Sequence, residues 1–338
     1  MADSDFQVFK QIFIQATSKA AFVAARKIKE LHQEFPYPDS RDYKSLGRIL
    51  DGVAVETMQE IFETQAHFSI EIKGSEGRKD TRRDGIESPD LYGSYGPTNG
   101  IRVEIVNDAV EGTKFASSNT PGATSVLAAA LDQKNGLTAT GNFDYMSKLF
   151  GPPQLKDKIS LELSPAENFK IALRELNIDN PADLVLVILD RPRNQYIIDS
   201  AKSLSLHTIL ITGGDLTPSL LAVQDPSILK TLKNSRIPNS SKGVLVYGSG
   251  GWEEGVISAA AAKALGGHAQ GKIYSEDQEG VEQAKILEID DLIPAEPSSL
   301  LVSMTPITQD PWFGISGIEG NKAETVSITY EGMEILSS

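Results

Sequence analysis

The stretch Leu184–Arg193 reads LVLVILDRPR. Six consecutive apolar residues run into an acid and a proline, with no polar alternation. Such a run fits a strand buried on both faces, as in a parallel sheet covered by helices. The same grammar repeats on either side. Ala166–Leu176 and Gln195–Ser203 have helical spacing. His207–Ile211 is a second apolar strand and leads into Gly213-Gly214-Asp215. Gly243–Tyr247 is a third, ending in Gly248-Ser249-Gly250-Gly251, and the Ala-rich stretch Gly255–Leu265 follows as a helix. Strand, glycine-rich turn and helix in alternation predict an α/β domain.

Towards the N-terminus the pattern changes. Phe9, Ile12, Phe13, Ala16, Ala20, Val23 and Ala24 recur at helical spacing, which predicts a helix over Phe6–Leu31. Pro36, Pro38, Asp39 and Ser40 break it, and a second helix is expected over Leu50–Thr64. Phe68–Ile72 and Ile101–Val106 alternate apolar and polar residues as strands do. Ser125–Leu131 is a further strand, with Leu137–Phe143 as its expected hairpin partner. Helices followed by strands make this half α+β. The boundary falls near Lys156–Pro165. The sequence therefore predicts an N-terminal metal-binding domain over residues 1–160 and a C-terminal substrate-binding domain over residues 161–338.

Composition narrows the chemistry. The 338 residues include 32 basic and 46 acidic side chains, a formal net charge of −14, and no cysteine. Disulfides, thiolate catalysis and Cys-ligated zinc are excluded. Four scattered histidines give little support to a histidine zinc site or a Ser-His-Asp triad. The acidic balance argues against a nucleic-acid partner. No apolar run approaches the length of a membrane span, and the residues after Met1 lack the pattern of a signal peptide. The expectation is a cytoplasmic protein with neither nucleic-acid nor membrane partner.

Carboxylates recur at element ends and in loops. Asp51 precedes Gly52, where it could cap a helix. Glu76 and Asp80 lie in a polar loop, Asp108 and Glu111 follow a strand, and Glu254 follows the glycine-rich turn. Carboxylate oxygens suit Mg²⁺ or Mn²⁺. Asp108 and Glu111, in Asp-x-x-Glu-Gly-Thr after a buried strand, would be costly unless paired or metal-bound. The turns Gly248–Gly251 and Gly213–Asp215 precede helices and could cradle phosphate. Arg191-Pro192-Arg193 offers two guanidinium groups for an anion. No P-loop occurs, and Gly250-Gly251-Trp252 does not make a dinucleotide fingerprint.

Taken in order, these segments resemble the class II fructose-1,6-bisphosphatases, some of which also hydrolyse sedoheptulose 1,7-bisphosphate. LVLVILDRPR, Ile209–Leu216 (ILITGGDL) and Val244–Gly271 carry the likeness in the second half. Leu50–Met58 (LDGVAVETM), Asp108–Thr113 (DAVEGT) and Asp144-Tyr145-Met146-x-Lys148-Leu149 carry it in the first. The resemblance implies a layered α/β/α/β/α sandwich of the lithium-sensitive phosphatase type. It implies Mg²⁺ or Mn²⁺ held by Asp51, Glu76, Asp108, Glu111 and Glu254. Asp80 and Thr113 would position and deprotonate the attacking water. Glu111, Gly112, Thr113, Tyr145, Arg191, Arg193, Gly213, Gly214, Asp215 and Gly251 would bind a sugar bisphosphate. A homo-oligomer, dimer or tetramer, is implied too.

The family's Lys-Asn-Thr-Ala before the first metal Asp is here Gly47-Arg48-Ile49-Leu50. Arg78 stands for a Glu, Ala109 for a Pro, and Trp252-Glu253-Glu254 for Ala-Pro-Glu. Metal carboxylates persist while several substrate-facing residues change, which implies phosphatase chemistry with an altered substrate. Trp252, next to Gly251, is expected to narrow or reshape the sugar pocket. Two further readings stay open at this point: a relative that keeps the fold for binding or regulation, and a phosphatase for inositol or other phosphate monoesters.

Overall fold

The computed structural model describes residues 3–34, 40–75, 89–132, 134–138, 144–274 and 285–338. The chain forms two compact units. One takes in Met1–Thr140, Ser298–Pro311 and Ile315–Ser338; the other takes in Gly141–Pro297 and Trp312–Gly314. Both units combine helices with a mixed sheet, the α/β architecture that the sequence predicts.

The first unit begins with helices α1 (Asp3–Glu34) and α2 (Ser40–Thr64) and a short α3 (Thr113–Ser117). Its strands are β1 (Phe68–Ser75), β2 (Ser94–Tyr95), β3 (Ile101–Glu111), β4 (Thr124–Leu131), β11 (Leu300–Pro306), β12 (Glu324–Thr329) and β13 (Gly332–Ser337). They lie in the order β13-β12-β11-β4-β3-β1-β2. Only β1 and β3 run parallel; the other neighbours are antiparallel. Phe9, Phe13, Ala16, Ala20 and Ala24 make the buried stripe of α1. The alanines let the helix lie close to β4 and β11. Phe13 meets Phe9 at 5.0 Å and Phe62 at 5.6 Å, ring centre to ring centre. Each buried phenyl contributes about 2–3 kcal/mol.

Several expectations change here. Helix α2 starts at Ser40, ten residues before the predicted Leu50. Leu46, Leu50, Ala54, Met58 and Phe62 recur every fourth residue and are all buried, so the apolar stripe holds the earlier turns helical. Asp51 therefore stands in the helix interior and is not an N-cap. Strand β3 runs on to Glu111, five residues past Val106, because Asn107–Glu111 keep pairing with β4.

The predicted hairpin of β4 with Leu137–Phe143 does not form. β4 lies between β3 and β11, all eight residues buried. Leu137 sits in a turn whose backbone is fastened to Glu104: Asn135 N and Leu137 N donate to its carboxylate at 2.7 and 3.2 Å. Residues 139–143 fall outside the described residues. The boundary near 160 is revised as well. A fully buried strand needs hydrogen-bond partners on both edges, and β11, brought back from the end of the chain, supplies the second edge of β4.

In the second unit, β5 (Tyr145–Gly151), β6 (Leu184–Leu189), β7 (His207–Ile211), β8 (Gly243–Gly251), β9 (His268–Tyr274) and β10 (Leu287–Glu288) lie in the order β10-β9-β5-β8-β6-β7. β6 is parallel to both β7 and β8, with six buried residues, as LVLVIL predicts. Helices α4 (Pro165–Glu175) and α5 (Gln195–Ser203) cover one face, where Phe169 and Ile197 pack with Leu149 and Tyr247. A reciprocal Ser164–Glu167 capping box fixes the start of α4. Helix α6 (Leu216–Ala222) follows β7. Helix α7 (Trp252–Leu265) covers the other face, with Gly255 against Met146 of β5.

The stretch Gly248–Gly251 is strand, not the turn expected from its glycines. It pairs antiparallel with Lys148–Tyr145, and α7 begins directly after it with Gly251 as N-cap. Among the described residues no helix is long and apolar enough to cross a membrane.

Candidate active site

In the first unit the site is built around one irregularity of β3. Asp108 pairs with Val126 and Glu111 with Thr124, so three steps on β3 match two on β4. In a regular strand residues i and i+3 face opposite sides; one extra residue restores the same side. Asp108 and Glu111 accordingly present carboxylate oxygens within 4.8 Å of each other. Both are buried, at 4% and 5% exposure. Asp108 Oδ1 accepts from Val110 N at 3.1 Å.

The chain then turns sharply. Gly112 has φ 76° and ψ 40°, a left-handed conformation that suits glycine, and an added Cβ would lie 2.8 Å from Gly122 O. The turn delivers Thr113, whose Oγ1 donates to Val110 O at 3.0 Å. Helix α2 closes on it from outside: a Cβ at Gly47 would lie 2.6 Å from Thr113 Cγ2. Asp51 is one helical turn beyond Gly47 and so on the same face of α2. Asp51, Asp108, Glu111, Gly112 and Thr113 thus converge on one corner of the unit. Glu76 and Asp80 lie outside the described residues. The described part of β1 ends at Ser75, in register with Asn107, the residue before Asp108.

The donor set fits a divalent cation. Two buried carboxylates this close repel each other, and each supplies hard oxygen donors.

In the second unit the expected binding residues separate onto two faces of the sheet. Tyr145 is in register with Gly251 and with Tyr274. The Arg193 guanidinium lies 4.8 Å above the Tyr145 ring and donates to Ser249 O at 3.1 Å. The loop carrying it is held by Asn194, which donates to Leu189 O at 2.9 Å and accepts from Ser249 N at 3.0 Å. Arg191 is turned to its own surroundings, donating to Asp190 O and Thr212 O at 3.0 and 2.5 Å. Gly213 and Gly214 lead from there to Asp215, which is on the opposite face.

Asp215 is buried and lies 2.8 Å from Lys148 Nζ, itself 1% exposed. The contact is ionic and is not a directed hydrogen bond. Gly250 leaves room for the pair; a Cβ there would collide with the Asp215 carboxylate. Glu254, in the first turn of α7, folds back over Gly251, so a side chain at Gly251 would strike it. Trp252, expected to reshape a sugar pocket, is 4% exposed and belongs to the core.

Sequence reasoning missed Lys148, Asn194, Ser249 and Tyr274 as members of the site. Lys148 had a readable signal: between Met146 and Phe150 it lies on the same strand face as two large apolar residues. A lysine there has to be paired.

A family model for bacterial fructose-1,6-bisphosphatase, glpX-encoded, matches residues 47–334. Among curated relatives, the D-fructose 1,6-bisphosphatase class 2/sedoheptulose 1,7-bisphosphatase of Crocosphaera subtropica is 33% identical over 231 residues, 66% of this chain and 61% of that protein. Those of Synechocystis sp. and Synechococcus elongatus are 32% and 34% identical over 237 and 238 residues, with the same shares. The matched segment thus spans about three fifths of these relatives' length. By the extent of the family match, the chain belongs to the family of bacterial fructose-1,6-bisphosphatases encoded by glpX.

Proposed function

We propose that this chain is a phosphatase that removes a phosphate group from a sugar bisphosphate with the help of a divalent cation, Mg²⁺ or Mn²⁺. The observation that carries the reading is the bulge of β3, which sets the Asp108 and Glu111 carboxylates side by side next to Thr113. Family membership and the names of the relatives support it.

The residues assigned to the metal are Asp51, Asp108, Glu111 and Glu254, with Glu76 as a fifth. When bound, the cation supplies charge neutralisation at a phosphoryl oxygen and a more acidic water. The protein's own part is positioning. Asp108 and Glu111 are held by a strand paired along its length, so they need little reorganisation. Thr113 Oγ1 donates to Val110 O and keeps its lone pairs for a proton from water. Asp80 is assigned as the base. On the second unit, Arg193 and Tyr145 offer a cation and a phenol to the sugar phosphate, and Lys148 holds Asp215 ready for a sugar hydroxyl.

Phosphate release from fructose 1,6-bisphosphate, sedoheptulose 1,7-bisphosphate, inositol phosphates and monophosphate sugars tests this, with Mg²⁺ or Mn²⁺ and with EDTA. The expected result is metal-dependent release from a sugar bisphosphate, lost in Asp108→Ala. A folded protein that releases phosphate from none of them would overturn it.

A further inference from the structure

The face of the second sheet under α5 holds a cavity of about 320 Å³. Register places its floor: Ser147 on β5 is level with Lys272 on β9 and with Ser249 on β8. These three residues form a row across the sheet. The next row, Tyr274-Tyr145-Gly251, lies two residues along the strands, about 7 Å away. Arg193 spans both rows, stacked on Tyr145 and bonded to Ser249 O, and lines the cavity with Lys272.

The charge of this cavity is opposite to that of the chain. The chain carries −14, yet the cavity wall has two cations and no carboxylate. Among the described residues neither Lys272 nor Arg193 forms an ion pair, although the second unit pairs Lys148, Lys158, Lys242 and Lys263 with acids. Hydroxyls complete the wall: Ser147, Ser249, Tyr274 and, at the rim, Tyr196. Ser249 and Tyr274 are hydrogen-bonded to each other. Burial raises the phenols of Tyr196 and Tyr247 above their ordinary value, so they stay neutral. Two cations, neutral hydroxyls and no acid form a receptor for a compact, multiply charged oxyanion.

We infer that this cavity is a phosphate-binding site in which Lys272, with Arg193 and Ser147, holds the phosphate group of a phosphorylated small molecule. Nothing in the metal corner or in the Gly213–Asp215 segment takes part in it. One source of that group is the second phosphate of the substrate itself, which rests on the sugar-bisphosphate reading. The spacing favours this source, because the cavity floor lies one row from Gly251 and the start of α7.

Titration of the intact protein with inorganic phosphate in EDTA decides the site without any reliance on turnover. Lys272→Met is expected to weaken phosphate binding about tenfold or more, the loss of one charge-assisted contact. Lys272→Arg is expected to restore most of it, and Lys272→Gln serves if the Met variant does not fold. If the substrate is the source, Lys272→Met also raises KM for the bisphosphate by a similar factor and leaves kcat and monophosphate hydrolysis near the wild-type values. Weakened phosphate binding with an unchanged bisphosphate KM would assign the site to a separate phosphorylated ligand. Equal phosphate binding in wild type and Lys272→Met, or none in wild type, would overturn it. Absence of any phosphatase activity would remove the sugar-bisphosphate reading, and the titration would still show whether the cavity binds phosphate through Lys272.

Discussion

Asp108 and Glu111, three residues apart on one strand, present their carboxylates on the same side because β3 carries one residue more than β4 between them. The pair is buried and like-charged, so it is a source of repulsion whenever no cation lies between the two groups. Asp108→Asn removes half of that repulsion. The expected outcome has two opposite parts. In EDTA the variant melts at a temperature equal to or above the wild type. With Mg²⁺ or Mn²⁺ the wild type gains stability and the variant does not, and metal-dependent phosphate release falls by at least about 100-fold. Thermal unfolding with and without metal reads both. A variant that keeps the full metal-induced shift would show that Asp108 is not a ligand.

The approach of α2 to Thr113 leads to a compensating pair. Gly47→Ala would place a methyl group 2.6 Å from Thr113 Cγ2, and threonine, branched at Cβ, has little freedom to turn away. We expect Gly47→Ala to lose about 1–3 kcal/mol of stability and most of the activity. Thr113→Ser removes the clashing methyl and keeps the hydroxyl. The double variant Gly47→Ala/Thr113→Ser should therefore be more stable than Gly47→Ala alone and more active. Additive losses in the double variant would mean that the helix is not held off by Thr113.

How legible all this was depended on local periodicity. LVLVIL, Gln195–Ser203 and His207–Ile211 matched the structure to the residue, because a continuous apolar run or a stripe of period 3.6 is a local signal. The bulge of β3 left no such mark: Asp108 and Glu111 stood out as acids after a strand, but only pairing with β4 shows that the strand continues through them. The glycines of Gly248–Gly251 suggested a turn. In the sheet they are small because Asn194, Asp215 and Glu254 crowd the positions that their side chains would fill. The return of β11 to β4 is a contact across more than 160 residues, and no window of sequence contains it. Lys272 passed unnoticed for the same reason, since its row with Ser147 and Ser249 exists only across three strands.

The Lys148–Asp215 pair is buried on both sides, which makes each charge dependent on the other. Removing one member of such a pair leaves an uncompensated charge in the interior, at about 3–5 kcal/mol. Lys148→Met should therefore lower the urea midpoint strongly. Lys148→Met combined with Asp215→Asn should be less unstable than the sum of the singles by more than about 1 kcal/mol. A coupling near zero in that double-mutant cycle would assign the contact no energetic weight.

His268 opens β9 opposite Gly151 at 3% exposure, and among the described residues its Nε2 has no hydrogen-bond partner. Burial pushes its ionisation down to about 4. An unfolded histidine titrates near 6.5, so below that pH the unfolded chain takes up a proton that the native ring refuses. The unfolded state then binds more protons, and stability falls as the pH drops. The contribution is complete above about 6.5 and disappears progressively between there and about 4, amounting to roughly 3 kcal/mol across the window. His268→Gln keeps a neutral side chain at every pH and has no such term. Urea unfolding at several pH values between 5 and 7.5, with EDTA present, should give a flatter profile for the variant, the two curves differing by about 2 kcal/mol more at pH 5 than at pH 7.5. The carboxylates titrate in both proteins and cancel in that difference. Parallel curves would mean that the native ring accepts its proton as readily as the unfolded one, against the burial seen here.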